Sequence, residues 1–363
     1  MKEDKHIVQL DGLRFFAVFM VMIGHWLQWQ WTNPVLVNFP FVHGVILFFV
    51  LSGFLITRIL LTKKDELTTT NTNKSYLIKN FYIRRFLRIF PIYYLLLAIL
   101  FAIDYKNTRE LFPWLVTYSS NIYQSINNIY VGDFNHFWSL AVEEQFYLFW
   151  PFLILFIKPN KVFQTICITI ISAILLKSYF YLYIGKWMAT TYFTLNCMHA
   201  LGIGALLSYF TLYNKKLIEI LAKPICLYLC LFMYLFLLYI QYKYKIGWYK
   251  EVGDEVVFAI LSAFIILRAS RNGFRLGLRY ILENKFIVYS GKISYGLYVY
   301  HLFMPALFFI IAQGIGLSIS NKYTAFIAFY FLTFLVAHIS WIIIEKPVMN
   351  LKSKVPYIKQ TNK

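Results

Sequence analysis

The sequence has few charged residues and few acidic ones in particular. Asp, Glu, Lys and Arg make up 14% of the 363 residues, and 16 acidic side chains stand against 35 basic ones. Hydrophobic residues reach 60%, aromatic residues reach 20%, and the mean hydropathy is +0.60. Soluble domains do not have this composition, and repeated long apolar runs are typical of a membrane protein that crosses the bilayer several times.

Cysteines are scarce, and nothing in their arrangement suggests metal ligands or a disulfide framework. We therefore expect no metal site. No linker rich in Gly, Ser or Pro separates a second domain, and no period of 20 to 50 residues repeats. The net charge of +19 does not indicate nucleic acid binding, because the basic residues lie in short loops rather than on a soluble basic face. The cysteines, all in apolar segments, are Cys167, Cys197, Cys226 and Cys230.

Apolar runs predict an all-α helical bundle of about ten transmembrane helices in the inner (cytoplasmic) membrane. Of the 35 Lys and Arg residues, 25 fall in the segments that would be cytoplasmic and only 7 in the opposite ones. This bias predicts that both termini are cytoplasmic. We expect residues 1–345 to form one membrane domain and 346–363 a short basic cytoplasmic tail, with no soluble domain appended. The predicted spans are 9–29, 44–62, 89–104, 136–157, 162–184, 192–212, 224–241, 255–270, 286–312 and 323–344.

The first span carries polar residues that are costly inside a bilayer and therefore usually functional. It reads QLDGLRFFAVFMVMIGHWLQWQW and contains Asp11, Arg14 and His25. Helical geometry puts Arg14 and His25 about 20° apart in azimuth and roughly 16 Å apart in depth. Two alternatives stay open: Asp11 and Arg14 simply pair at the inner end, or they belong with His25 to one functional helix face.

A basic motif precedes the predicted third span and reads FYIRRFLRIFPIYY. Arg85 and Arg88 are three residues apart and so share a helix face. Guanidinium groups with this spacing suit bidentate phosphate binding. The alternative is an ordinary basic anchor that touches lipid head groups.

The predicted fourth span begins HFWSLAVEEQFYLFWP and carries two carboxylates. Ser139 lies one turn before Glu143 and is positioned to hydrogen-bond its carboxylate. On antiparallel spans Glu143 and His25 would lie at similar depth, and a carboxylate beside an imidazole makes it a better general base. Alternatively, Glu143 only caps the helix N-terminus, a role that also suits Glu144.

Further motifs are weaker alone. Ser52 and Gly53 in FFVLSGFLIT predict close helix packing. The predicted outer loop 105–135 mixes aromatic residues with asparagines, which suits sugar rings or a segment in the aromatic belt of the membrane. His301 in SYGLYVYHLFMP lies inside the predicted ninth span, and Glu345 begins EKP at the end of the tenth.

Together these motifs resemble the bacterial membrane acyltransferase-3 family. The resemblance runs through LDGLRFFAVFMVMIGHW, FFVLSGFLIT, RRFLRIFPIYY, FWSLAVEEQFYLFWP, SYGLYVYHL and EKP, in the family's order. It implies an O-acetyltransferase that moves an acyl group, usually acetyl, from cytoplasmic acyl-CoA to a hydroxyl of a cell-surface glycan such as O-antigen, capsule or exopolysaccharide. Carried over by position, His25 is the general base with Glu143 in the outer part of the site. We expect Asp11, Ser139, Trp138 and His301 to be supporting residues.

The donor is expected to be acetyl-CoA, with Arg14 along its path and Arg85 and Arg88 holding its phosphates. Family members often have an arginine and an acid near the start of the sixth span, where this chain has Cys197 and His199. Some relatives append an extracytoplasmic esterase-like domain, for which we expect no room here. The oligomeric state is not predicted.

Two other classes of function remain compatible with the sequence. A proton-coupled transporter or flippase would use Asp11, Arg14, His25 and Glu143 as a relay, although such proteins often show inverted repeats and broken helices. A glycosyltransferase with a lipid-linked sugar donor would leave the inner arginine pair without an evident role.

Overall fold

A computed structural model describes residues 7–28, 39–70, 72–319 and 321–358. Regular secondary structure in these ranges is helical, and no β-strand occurs in them, so the all-α prediction is confirmed. The first nine α-helices are α1 Val8–Trp26, α2 Gly44–Glu66, α3 Lys74–Ala102, α4 Thr108–Val116, α5 Ser120–Asn127, α6 Phe137–Phe156, α7 Val162–Tyr179, α8 Trp187–Tyr192 and α9 Thr194–Tyr213.

The later α-helices are α10 Lys215–Leu221, α11 Pro224–Tyr244, α12 Asp254–Ser270, α13 Leu276–Leu282, α14 Lys285–Lys292, α15 Ser294–Tyr300, α16 Met304–Gly314, α17 Lys322–Ser340 and α18 Lys346–Asn350. Single turns of 3₁₀-helix are found at Phe41–His43, Tyr105–Asn107, Gly132–Phe134, Pro159–Lys161 and Leu351–Lys354. Turns of π-helix are found at Phe180–Ile184, Tyr249–Gly253 and Trp341–Glu345.

Helix length and apolar composition support a protein that crosses the membrane several times. Within the described ranges, eight helices are long and apolar enough to cross, and the bent pair α15 and α16 would add a ninth. The 17-residue helix α12 reaches about 26 Å, slightly less than the roughly 30 Å hydrocarbon core. The count of ten and the orientation of the termini therefore stay predictions. Residue 29, the last of the first predicted span, lies outside the described ranges.

The helix of the predicted third span begins much earlier than the apolar run does. Helix α3 starts at Lys74, where the side chain of Asn73 accepts a hydrogen bond from the backbone N–H of Tyr76 at 2.8 Å. Lys and Arg are good helix formers, so a change in hydropathy does not mark the end of a helix. Arg85 and Arg88 consequently lie well inside a 29-residue helix rather than before it.

The predicted ninth span is not one helix. Residues 301–303 form a turn between α15 and α16, and the two helices are bent by 68°. Pro305, which cannot donate a backbone hydrogen bond, stands in the first turn of α16 and suits this restart. His301, expected inside a continuous helix, therefore lies at the break.

The chain divides into two compact units, each assembled from separate stretches. The first comprises the described residues of Met1–Phe48, Ile220–Ile246 and Val257–Ile339. The second comprises those of Phe49–Glu219, Gly247–Val256 and Ser340–Lys363. In the first unit, α1 packs against α14 so closely that a Cβ atom on Gly291 would lie 1.8 Å from the carbonyl oxygen of Asp11.

In the second unit, α2 and α9 meet through glycines. A Cβ atom on Gly53 would lie 1.9 Å from the carbonyl oxygen of Leu201, and one on Gly204 would lie 2.0 Å from that of Val50. These distances are far inside van der Waals contact with backbone atoms, which cannot move as a side chain can. The close helix approach predicted from Ser52-Gly53 is confirmed.

The described part of the predicted tail lies against α3 in the same unit. A guanidinium nitrogen of Arg84, Nη1, donates to the carbonyl oxygens of Lys352 at 2.7 Å and Val355 at 2.9 Å. The amide of Asn80 donates to the carbonyl oxygen of Pro356 at 2.6 Å. Hydrogen bonds thus hold the chain after Glu345 against α3, the helix that carries the arginines.

The glycine contact gives a stability prediction. We expect Gly53→Ala to destabilise the protein by about 1–3 kcal/mol or more, because the added methyl group forces α2 and α9 apart. Thermal unfolding in detergent measures the effect. The matched control is Gly277→Ala, since a Cβ atom there meets nothing within 4 Å. Equal unfolding midpoints for the two variants would contradict the close packing.

Candidate functional site

The first unit contains a pair of imidazoles at the helix break. The Nδ1 atom of His25 lies 2.9 Å from Nε2 of His301, and the two rings are stacked with centroids 5.0 Å apart. The Nδ1 atom of His301 lies 2.6 Å from the carbonyl oxygen of Tyr298. His301 is fully buried, whereas His25 is partly exposed at the end of α1.

These contacts fix the tautomers of the neutral pair. A carbonyl oxygen only accepts, so His301 carries its proton on Nδ1 and presents the lone pair of Nε2 to its neighbour. His25 then donates through Nδ1, which leaves the lone pair on its own Nε2. The nitrogen of His25 that can take a proton from a substrate is therefore Nε2.

Aromatic side chains hold this pair in place. The indole of Trp26 lies 6.0 Å from the His301 ring and packs edge-on against Phe326 and Phe329 at 5.7 and 5.8 Å. These contacts leave the imidazole of His301 little freedom to rotate, which suits a group whose orientation matters.

At the other end of α1, Asp11 and Arg14 form an ion pair. Asp11 is buried, and the side chain of Arg14 is 18% exposed. One of the two alternatives predicted that Asp11 and Arg14 pair with each other, and this pair is present. A role for Arg14 along the donor path stays a prediction. Just before the pair, Gln9 donates to Glu283 at 2.8 Å. This hydrogen bond, with a second one from Arg279, holds the pKa of the Glu283 carboxyl below its usual value.

In the second unit, Glu143 is held by hydroxyl groups. The hydroxyl of Ser52 donates to Oε1 of Glu143 at 2.7 Å, and the phenol of Tyr147 lies 3.2 Å from Oε2. Ser139, the donor expected from helical spacing, donates instead to the carbonyl oxygen of His136 at 3.1 Å. The observed serine partner comes from α2 rather than from the same helix. Glu143 as a partner of His25 stays a prediction.

The arginines of α3 are neighbours of this carboxylate. Arg88 and Arg85 are both close enough to act electrostatically on Glu143. The guanidinium of Arg85 lies between the rings of Phe81 and Tyr147, with centroids 5.5 and 5.6 Å away. The sequence interpretation had put these arginines and Glu143 at opposite surfaces. The structure brings them together, because α3 carries the arginines into the helical bundle.

A cavity of about 320 Å³ opens beside this group. Half of its lining residues are aromatic, and its polar groups include a guanidinium, a carboxylate and an amide. Arg85 therefore faces a space that a ligand can enter. The lining residues are Tyr82, Arg85, Phe86, Phe90, Thr117, Tyr118, Glu144, Gln145, Tyr147 and Leu148.

Residues named from the motif around Glu143 and the predicted outer loop mostly serve packing. Trp138 stacks on Tyr192 with centroids 4.4 Å apart. The loop folds into α4 and α5, and the amide of Asn121 donates to the carbonyl oxygen of Tyr192 at 3.1 Å and to the hydroxyl of Thr194 at 2.8 Å. Tyr118 is the loop aromatic that also lines the cavity.

A charged cluster in the second unit was missed by the sequence interpretation. Lys177, fully buried in α7, forms an ion pair with Glu255 at the start of α12. The Nε2 atom of His199 lies 3.8 Å from the same carboxylate. This cluster supplies a cation and an acid beside His199, near where family members often have an arginine and an acid. The partners are 78 residues apart, so no local spacing could reveal them.

A family comparison identifies the class of protein. The family model described as an acyltransferase domain, that of the acyltransferase-3 family, matches residues 7–345. The chain therefore belongs to this family, as its motifs suggested. No solved structure matches it.

Individual relatives are O-acetyltransferases by name. A segment of 172 residues, 43% of this chain and 26% of the relative, is 37% identical to the peptidoglycan O-acetyltransferase OatA of Listeria monocytogenes. A putative O-acetyltransferase and the O-acetyltransferase OatA of Staphylococcus aureus are each 28% identical over 95% and 96% of this chain. The alignment spans 58% of each Staphylococcus protein, so this chain covers little more than half of their length.

The buried ion pair gives a second stability prediction. We expect Lys177→Met to destabilise the protein by roughly 3–5 kcal/mol, because it leaves the Glu255 carboxylate without its cation. The double variant Lys177→Met with Glu255→Gln should recover much of that loss, since no uncompensated charge remains. Unfolding midpoints of the two single variants and the double variant measure the coupling. Additive losses would contradict a direct pairing.

Proposed function

We propose that this protein is a membrane O-acetyltransferase that moves an acetyl group from cytoplasmic acetyl-CoA to a hydroxyl of a cell-envelope glycan. Family membership and the names of the relatives support the reaction class. The observation that carries the proposal is the His25–His301 pair, which leaves one basic nitrogen, Nε2 of His25, on a partly exposed ring.

The chemical step follows from that nitrogen. Nε2 of His25 takes the proton of the acceptor hydroxyl while the oxygen attacks the carbonyl carbon of the thioester. A carbon–oxygen bond forms, the carbon–sulfur bond breaks, and the sulfur leaves as CoA thiolate. The imidazolium then returns its proton to the sulfur. Transfer through an acyl-histidine is the two-step version of the same chemistry.

His301 is a positioning residue in this scheme. By accepting the Nδ1 proton of His25, it fixes the tautomer in which Nε2 is basic. It also stabilises the imidazolium that forms during the step, because the hydrogen bond to a charged donor is stronger than that to a neutral one.

We assign binding of the donor's phosphates to the arginines of the second unit. Arg85 and Arg88 suit the phosphates of acetyl-CoA, and the space beside Arg85 leaves room for a ligand there. The cavity alone is at the small end of ligand pockets and would hold only part of the donor. Glu144 lines the same cavity, so phosphates would lie at its Arg85 side.

The acceptor is proposed as a class. One relative is named for peptidoglycan, which favours a cell-wall glycan alongside O-antigen, capsule or exopolysaccharide subunits. The sugar hydroxyl would be the nucleophile in each case, so the choice does not alter the role of His25.

A transporter or flippase remains the second candidate because of one observation. The break between α15 and α16 has a histidine beside it, and broken helices with polar groups are common at transporter binding sites. Purified protein in proteoliposomes separates the two functions: acetyl transfer from acetyl-CoA supports the enzyme, whereas glycan movement without transfer supports the transporter.

The general base gives a third prediction. We expect His25→Ala to lower the acetyl-transfer rate by roughly 10²- to 10⁴-fold, the range typical of losing general base catalysis. The assay is transfer of radiolabelled acetyl from acetyl-CoA to a glycan acceptor by purified protein. Acetyl-CoA affinity should remain near the original value, because the base does not bind the phosphates. A variant that keeps most of its turnover would contradict the assignment.

The positioning role of His301 gives a fourth prediction. We expect His301→Ala to lower kcat by roughly 5- to 150-fold, which corresponds to losing a hydrogen bond of about 1–3 kcal/mol. KM for acetyl-CoA should change little, and the acidic limb of the pH–rate profile should shift, because the basicity of His25 depends on its partner. If the variant gives less folded protein but has an unchanged kcat and pH profile, His301 has only a structural role and the positioning role is contradicted.

A further inference from the structure

The segment after the last long helix brings a lysine to the arginines of α3. The hydrogen bonds from Arg84 to the carbonyl oxygens of Lys352 and Val355 fix its backbone. The ring of Tyr357 lies 4.6 Å from the guanidinium carbon of Arg84 and covers it. Arg84 is therefore occupied in holding this segment.

The side chain of Lys352 lies among positive charges. Arg88, Arg85 and Arg84 are all close enough to act electrostatically on it. Among the described residues, Lys352 has no ion pair with a carboxylate. By contrast, Lys354, two residues further on, is exposed.

Few acidic groups balance this cluster. Arg88 acts electrostatically on Glu345, both Arg88 and Arg85 act on Glu143, and Arg85 also acts on Glu144. The Nε atom of Arg85 is buried without a hydrogen-bond partner. Four cations thus face three carboxylates, in surroundings where the repulsion between like charges is weakly screened. An anion with several acceptor oxygens would relieve this repulsion and provide hydrogen-bond acceptors.

We propose that Lys352 joins Arg85 and Arg88 in a phosphate-binding site, and that Arg84 positions Lys352 by holding the chain that carries it. The inference rests on the proposed function, because the phosphates are assigned to the acyl-CoA donor. The C-terminal segment then belongs to the donor site. Lipid head groups carry the same phosphate chemistry and are the competing source.

The test compares Lys352→Gln with Lys354→Gln in the full-length purified protein. Acetyl-CoA binding is titrated calorimetrically in uncharged detergent. We expect Lys352→Gln to weaken binding roughly tenfold or more, because a charge-assisted hydrogen bond is lost. The acetyl-CoA affinity of Lys354→Gln should stay within about twofold of that of the unchanged protein. Lys352→Arg should bind acetyl-CoA much more tightly than Lys352→Gln does. Both expectations have the same reason: a cation remains at position 352 beside the arginines.

A phosphate-free donor makes the test specific. Acetyl-pantetheine has the same thioester but none of the phosphates, so its kcat/KM should be equal in Lys352→Gln and the unchanged protein. A second titration, with phosphatidylglycerol in place of acetyl-CoA, tests whether a lipid head group is the ligand. If Lys352→Gln weakens only phosphatidylglycerol binding and leaves acetyl-CoA affinity unchanged, the lipid is the ligand and the donor assignment is overturned.

The outcomes separate this inference from the proposed function. If the unchanged protein does not bind acetyl-CoA, the proposed donor is wrong and the inference fails with it. If it binds and transfers acetyl while the Lys352→Gln and Lys354→Gln variants behave alike, only the role of Lys352 is overturned. Unfolding midpoints measured beside each titration show whether a loss of binding reflects a loss of fold. In that event the Lys352→Arg variant decides: weak binding by a folded arginine variant counts against the site.

Discussion

The structure depends on one constraint of the bilayer: a polar side chain inside it must find its partner within the protein. Residues of different helices meet for this reason. Ser52 of α2 bonds Glu143 of α6, and Lys177 of α7 pairs with Glu255 of α12. Each contact fixes the relative position of two helices, which apolar packing alone would not do. The same constraint applies to His25 and His301, which the proposed chemistry uses and which are each other's partners.

Close packing and polar pairing reinforce each other at α2. Gly53 lets α9 approach to backbone distance, and the adjacent Ser52 turns its hydroxyl to Glu143. One dipeptide thus serves two neighbours on different faces of its helix. The thermodynamic gain from the hydrogen bond is modest, but leaving the carboxylate without it would be costly. The position of Glu143 is consequently determined by helix packing as well as by its own helix.

Local patterns predicted the parts of the structure that depend on neighbours in sequence. Apolar runs located the helices, and Ser52-Gly53 indicated a close approach. The start of α3 was misplaced because arginines continue a helix as well as apolar residues do. Partners far apart in sequence were not predictable in this way: His25 and His301 are 276 residues apart, and no spacing rule connects them. The break at His301 was hidden because both flanking segments are apolar, and only the tertiary structure shows the turn between them.

The imidazole pair also limits how many ring nitrogens this part of the first unit can offer to a ligand. Of the four ring nitrogens of His25 and His301, three are engaged by the hydrogen bonds between the rings and to Tyr298. A divalent cation would therefore find a single nitrogen, which is too few to hold it. The pair thus offers one lone pair, that of Nε2 of His25, and one acyl transfer to a hydroxyl requires the movement of one proton.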